Sequence, residues 1–171
     1  MLILLLVAGN ETTTNLISNA MLSFTEHRDE LAKVEANPAL IPSALEEVLR
    51  FNSPVQATAR RPTRDVELRG RTIPAGMVTL VWLAAANRDP AQFPEPLRFD
   101  VTRSPNRHLA FGMGIHFCLG APLARLEARV AYEELLGAAT GFERTTEGPL
   151  PRVPTFFMRG VLELPIAFRR R

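Results

Sequence analysis

The sequence predicts a mainly α-helical chain with small β-sheets, folded as one α+β unit. Three observations predict it. Four segments read as helices, short runs punctuated by Pro and Gly read as strands, and a long proline-rich stretch without periodicity lies between them.

Residues 1 to about 24 read as one helix, apolar almost all round at first and then amphipathic through Leu16, Ala20 and Phe24. Such a helix belongs in the middle of a domain. A charged second helix covers about 27 to 36 and is ended by Asn37 and Pro38. Pro42 or Ser43 opens a third, with Ser43 and Glu46 at capping-box spacing, and it runs to about Phe51. TARRP, DVELRG and RTIPAG, between residues 57 and 79, read as a small antiparallel sheet, and VTLVWLAAANRD begins as a strand and ends as a short helix. Residues 89 to 110 contain prolines at 90, 94, 96 and 105 and form an irregular connection, which in a compact domain is usually functional. Leu119, Leu123, Leu126 and Val130 recur at helical spacing and predict a last helix to about Leu136; FERTT, PTFFMRG and VLELPIAF then read as further strands. No repeat, low-complexity tract or linker interrupts the chain, so residues 1 to 171 are taken as a single unit.

The chain has 171 residues, 46% hydrophobic and 22% charged, an ordinary globular balance. Its 20 Lys and Arg against 18 Asp and Glu leave a small basic excess. The arginines are scattered, and one Tyr and one Trp offer little base stacking, so nucleic acid is not an expected partner. Arg169, Arg170 and Arg171 read as a solvated basic tail. A single cysteine excludes an internal disulfide or a zinc site of several thiolates, and points to a reducing, cytoplasmic setting. The opening MLILLLVAG is shorter than the ~20 residues a spanning helix needs and lacks a basic leader or cleavage site, so no membrane or targeting segment is expected. It starts inside an apolar run with no cap, as though a longer buried helix had been cut.

Cys118 therefore has to be explained on its own. A lone cysteine in apolar surroundings is most often a buried structural thiol. It could also be a nucleophile with His108 or His116 as base, although no oxyanion-binding feature accompanies it. The spacing around it favours a third reading: Phe111, Gly114, Cys118 and Gly120 fit F-x-x-G-x-x-x-C-x-G, with Leu123 and Ala124 extending the match. This loop resembles the haem-binding loop of the cytochromes P450.

The resemblance implies that Cys118 is the axial thiolate ligand of haem b, iron protoporphyrin IX, placed where the last helix begins so that the helix amides and dipole favour the negative sulfur. Gly114 and Gly120 would let backbone approach the sulfur and the porphyrin, and Phe111 would pack on the sulfur as an apolar lid. His116, two before the cysteine, would take a haem propionate, and Gly112 and Ala124 would complete the cofactor-binding set of this loop. His108 has no clear role.

Further segments resemble the family in the same order along the chain. In AGNETTTN, Ala8 and Gly9 are small enough for the helix to pass the haem face, a Thr there can bond backward to the helix, and Glu11 with Thr12 forms an acid–alcohol pair for proton delivery. Glu47 and Arg50 form the E-x-x-R pair, Glu46 being explained by capping, and Arg98 in FPEPLRF is the arginine that would lock the pair to the irregular connection. Arg60, or alternatively Arg61, would bind a propionate, and Val55 would line the substrate pocket. Arg103, Arg107, Arg125 and Arg129 would make the face behind the cysteine positive, suited to a ferredoxin-type or flavin-containing electron donor.

By implication the reaction is insertion of one oxygen atom from O2 into a small organic substrate, with electrons from NAD(P)H through a redox partner, in a soluble bacterial type of the family. A member is more than twice this length. Residues 1 to 171 therefore correspond to the C-terminal part of the fold, from the oxygen-binding helix onward, with apolar surface on residues 1 to 24 left uncovered. A non-catalytic remnant that cannot retain haem, and a peroxide-using variant, stand as the alternatives.

Overall fold

The computed structural model describes residues 2–171, with the side chains of residue 6 and of residue 8 onward; Met1, where the first predicted helix begins, lies outside the described residues. Helix α1 (Leu2–Glu26) is as long as the pattern predicts, and Leu16, Ala20 and Phe24 form its buried face. Leu6 on its first half is exposed. The chain turns at His27, whose amide still bonds to the Ser23 carbonyl, and folds back as α2 (Arg28–Ala36).

Asn37 ends α2 and its side chain accepts from the Ala39 amide, opening a 3-10 turn (Pro38–Leu40) that runs straight into α3 (Ile41–Phe51). The expected capping box does not form. Because the turn brings the helix start forward to Ile41, Ser43 is already inside it and its hydroxyl donates backward to the Leu40 carbonyl at 3.0 Å. Glu46 is thereby free for other partners.

Strand β1 (Ala57–Arg60) pairs antiparallel with β4 (Thr79–Trp82), while β2 (Val66–Leu68) and β3 (Arg71–Ile73) form a separate hairpin. The one small sheet expected here is thus two. The hairpin closes through Arg69 and Gly70, both at positive φ, as a two-residue turn of matching twist requires. Strand β4 passes into the short helix α4 (Leu83–Ala86), as the sequence suggests. The proline-rich connection is irregular but anchored, with Phe93, Phe99 and Val101 buried.

Helix α5 (Ala121–Ala138) forms with the expected period and the opposite face. Leu119, Leu123, Leu126 and Val130 are exposed, Leu119 to 88%, and the buried positions are Ala121, Ala128, Tyr132 and Leu136. Alanines at 121 and 128 let α5 approach closely, and Tyr132 anchors it by donating to the Ile17 carbonyl at 2.8 Å and packing edge-on against Phe24. Helices α1, α3 and α5 so enclose one core around Phe24, Val48 and Tyr132.

Of the last predicted strands, β5 (Ala139–Arg144) and β6 (Ile166–Arg170) pair antiparallel. PTFFMRG is not a strand. It makes isolated bridges instead, Met158 to Val55 and, just beyond it, Val161 to Arg152, and the Arg159 amide donates to the Pro54 carbonyl at 2.7 Å. The basic end is not a free tail either, since Arg169 and Arg170 pair with Thr140 and Ala139, although their side chains face solvent. No helix among the described residues is long and apolar enough to cross a membrane.

Candidate functional site

The cysteine loop is fastened at its base by backbone bonds. The Cys118 amide donates to the Phe111 carbonyl at 2.9 Å, and the Ala121 amide to the Cys118 carbonyl at 3.2 Å as α5 starts. A 3-10 turn (Gly114–His116) lifts the loop between them. Gly112 and Gly114 both sit at φ near +70°, which explains their identity better than close approach does: a side chain on Gly114 would meet nothing within 4 Å. Gly120 has an ordinary backbone conformation, and its Cβ would lie 3.8 Å from the Cys118 sulfur, a normal contact. Cys118 itself is exposed, which removes the buried structural thiol as an explanation.

Cys118 borders a largely apolar cavity of about 470 Å³, within the size range of small-molecule and cofactor pockets. Phe111, Gly112, His116, Cys118 and Ala124 line it from the loop and α5; Ala8 and Thr12 line it from α1; Val55 and Arg60 line it from the segment around β1. The structure thus brings together most of the predicted set, with Arg60 in the lining and Arg61 outside it. Gly9, Glu11 and Gly120 are not in the lining, and Glu11 is exposed. Thr12 bonds backward as its context predicts, its hydroxyl donating to the Ala8 carbonyl at 2.6 Å.

Behind the loop, Glu47 and Arg50 on α3 are both fully buried and paired at 2.8 Å through two bonds. Arg50 uses all five of its N–H donors: two on Glu47 and three on the carbonyls of Asn87, Pro96 and Arg98. The second arginine of this network is not Arg98, whose side chain lies in solvent on Glu95. It is Arg103, whose Nε donates to Glu47 at 3.2 Å, joined by the Asn106 amide group at 3.0 Å and the Asp100 backbone N–H at 3.0 Å. Arg98 contributes its carbonyl only, because the connection turns its side chain outward. Arg103 is in turn withdrawn from the positive face expected behind the cysteine.

Glu46, the neighbour of Glu47, faces the cysteine loop. Its carboxylate accepts Nε and Nη2 of Arg125 at 2.7 and 2.9 Å and Nε2 of His108 at 3.0 Å. The His108 side chain is 2% exposed, so this is an interior contact rather than a polar loop edge. Burial pushes the Glu46 carboxyl up, but the bonds from His108 and Arg125 outweigh it and hold it at about 2, against an ordinary 4.5. The folded state therefore keeps the charge where the unfolded chain has taken up a proton. The stabilising contribution is whole above pH 4.5, declines as pH falls from there toward about 2, and is absent below. Melting temperatures of the protein and of Glu46→Gln should converge across that window; a constant gap down to about pH 2 would contradict the assignment.

Glu46, His108, Asn87 and Asn106 are contributors that the sequence reading left without this role. Asn87 is fully buried and its Oδ1 accepts from the Leu109 amide at 2.7 Å, fixing the start of the loop. The one available signal was the Glu46–Glu47 pair itself, since adjacent helical residues point about 100° apart and reach different partners.

Residues 1–138 match the family model for cytochrome P450. The chain belongs to the cytochrome P450 family. It is 50% identical over 169 residues to the cytochrome P450 monooxygenase PikC of Streptomyces venezuelae, an alignment covering 98% of this chain and 41% of PikC. It is 48% identical over 166 residues to the biotin biosynthesis cytochrome P450 of Bacillus subtilis (strain 168), covering 97% of this chain and 42% of that protein. The solved structure of cytochrome P450 CYP109Q5 from Chondromyces apiculatus superposes with a TM-score of 0.94 at 47% identity, over 98% of this chain and 43% of the other. This P450 thus has the fold of its relatives and spans about two fifths of their length. Haem is the cofactor that P450 membership implies.

Proposed function

We propose that this chain forms the haem-holding part of a monooxygenase that inserts one oxygen atom from O2 into a small organic substrate, with Cys118 as the residue that would hold the iron. One observation carries the reading: the exposed residue Cys118 borders an apolar cavity whose lining also includes Thr12 of α1 and two cationic or basic residues, Arg60 and His116. That donor set fits haem b. The sulfur suits iron, the apolar lining suits a porphyrin, and Arg60 and His116 suit its two propionates. When bound, haem supplies the iron at which O2 is reduced and cleaved, a step favoured by a strongly donating thiolate.

The protein's residues do the rest. Cys118 lies three residues before α5, whose N-terminal dipole favours negative charge nearby. Gly112 and Ala124 leave room in the lining beside it. Thr12 has committed its hydroxyl proton to the Ala8 carbonyl, so its oxygen can accept a hydrogen bond from within the cavity. Glu11, exposed one residue earlier, is the acid of the acid–alcohol pair, and passing a proton inward would require the Thr12 hydroxyl to leave the Ala8 carbonyl. Val55 borders the space left for substrate. A partly apolar substrate suits that wall; among structural neighbours, CYP109E1 of Bacillus megaterium was solved with corticosterone, and P450BioI with a hexadecenoic acid carried on acyl carrier protein.

Electrons would come from NAD(P)H through a ferredoxin-type or flavin-containing donor. With Arg103 and Arg125 engaged internally, Arg107 and Arg129 are the exposed arginines remaining near the loop to meet it. We take residues 1–171 as one partial domain acting in the cytoplasm. The test is direct: load the protein with haem, reduce it, add carbon monoxide and record the Soret band. A red-shifted band of thiolate ligation is expected; no haem uptake, or a band of histidine or thiol ligation, would refute the reading and favour a remnant that has lost its cofactor.

A further inference from the structure

Two adjacent carboxylates on α3 divide their work. Glu47 gathers the proline-rich connection, through Asp100, Arg103 and Asn106, whereas Glu46 grips the two sides of the cysteine loop, His108 at the end of the connection just before it and Arg125 on α5 just after it. Resting on the reading of Cys118 as ligand, we propose that Glu46 is a positioning residue for Cys118, closing the cysteine loop onto α3 by holding His108 at one end and Arg125 at the other.

Three observations carry this. The Ala110 amide donates to Nδ1 of His108 at 3.2 Å, so the ring proton sits on Nε2 and is directed at Glu46. Arg125 meets the same carboxylate through two N–H groups, a planar contact that fixes orientation as well as distance. The Arg125 guanidinium then lies 4.6 Å from the centre of the Phe111 ring, and the Phe111 carbonyl holds the Cys118 amide. A displacement at Glu46 therefore passes through Arg125 and Phe111 to the residue that carries the sulfur. One carboxylate gripping both ends also removes most of the freedom that a loop of this length would otherwise have.

The experiment compares the haem-loaded protein with Glu46→Gln and Arg125→Lys, reading haem content, circular dichroism and the ferrous carbonyl Soret band. Gln keeps the shape without the charge, and Lys keeps the charge without the planar fork. Each is expected to raise the ratio of non-thiolate to thiolate carbonyl complex roughly tenfold, the effect of losing one charge-assisted hydrogen bond, with helix content unchanged. Parent-like spectra in both variants would overturn the positioning role while leaving the ligand assignment intact. A parent protein without the thiolate band would overturn the ligand assignment itself. If Glu46→Gln loses helix content, Arg125→Lys decides, and loss of helix content in both would overturn the proposal by making the contact one that holds the fold rather than the loop.

Discussion

Replacing Cys118 by serine is expected to abolish the thiolate-type carbonyl spectrum and to lower oxygen insertion at least about hundredfold, more than the loss from removing a residue that merely supports a metal ligand. The substitution exchanges one small side chain for another at an exposed position, so nothing in the core responds. The loop keeps its shape because the bonds at its base belong to the Cys118 backbone, to Phe111 and Ala121, and not to the sulfur. Circular dichroism and melting temperature should therefore match the parent within error. Activity that survives the change at a tenth of the parent rate would show that another atom serves as ligand.

The second large effect is on stability. Arg50→Ala should cost about 3–5 kcal/mol in urea denaturation, the usual result of removing one partner from a buried ion pair. Domains of ordinary stability have only about 5–15 kcal/mol in hand, so the variant is expected to be marginally folded. Glu47 would be left as a buried charge with its bonds from Asp100, Arg103 and Asn106, and the carbonyls of Asn87, Pro96 and Arg98 would lose their shared donor. Arg98→Ala is the contrasting case. Its side chain is 53% exposed on a still more exposed Glu95, so it should change stability by less than about 0.5 kcal/mol. Equal losses in the two variants would contradict the network drawn from the structure.

These paired outcomes turn on what a sequence can convey. Local patterns were legible: the α1 face through Leu16, Ala20 and Phe24, the passage from β4 into α4, and the backward bond of Thr12 all follow from residues within a few positions of one another. The cysteine spacing was legible for the same reason, since Gly112 and Gly114 answer a backbone demand inside the loop. Partner choice was not. Arg98 and Arg103 lie five residues apart in an aperiodic stretch, and only the path of that stretch decides which side chain turns inward to Glu47. The leucines of α5 have the right period, but period does not tell which of two faces is buried, and the choice fell to a face with alanines at 121 and 128. Glu46 looked like a cap because its spacing from Ser43 was local, while its partners His108 and Arg125 lie far along the chain.

The bridge between Val55 and Met158 has a kinetic consequence. Val55 borders the cavity, yet what steadies it comes from a segment about a hundred residues later, with Asn19 of α1 also holding the Arg159 carbonyl at 2.9 Å. Contacts so distant in sequence are slow to find one another, because the intervening chain must first lose its freedom. The core contact between Phe24 and Tyr132 spans a similar length of chain, so the core and the Val55 wall of the cavity close late together.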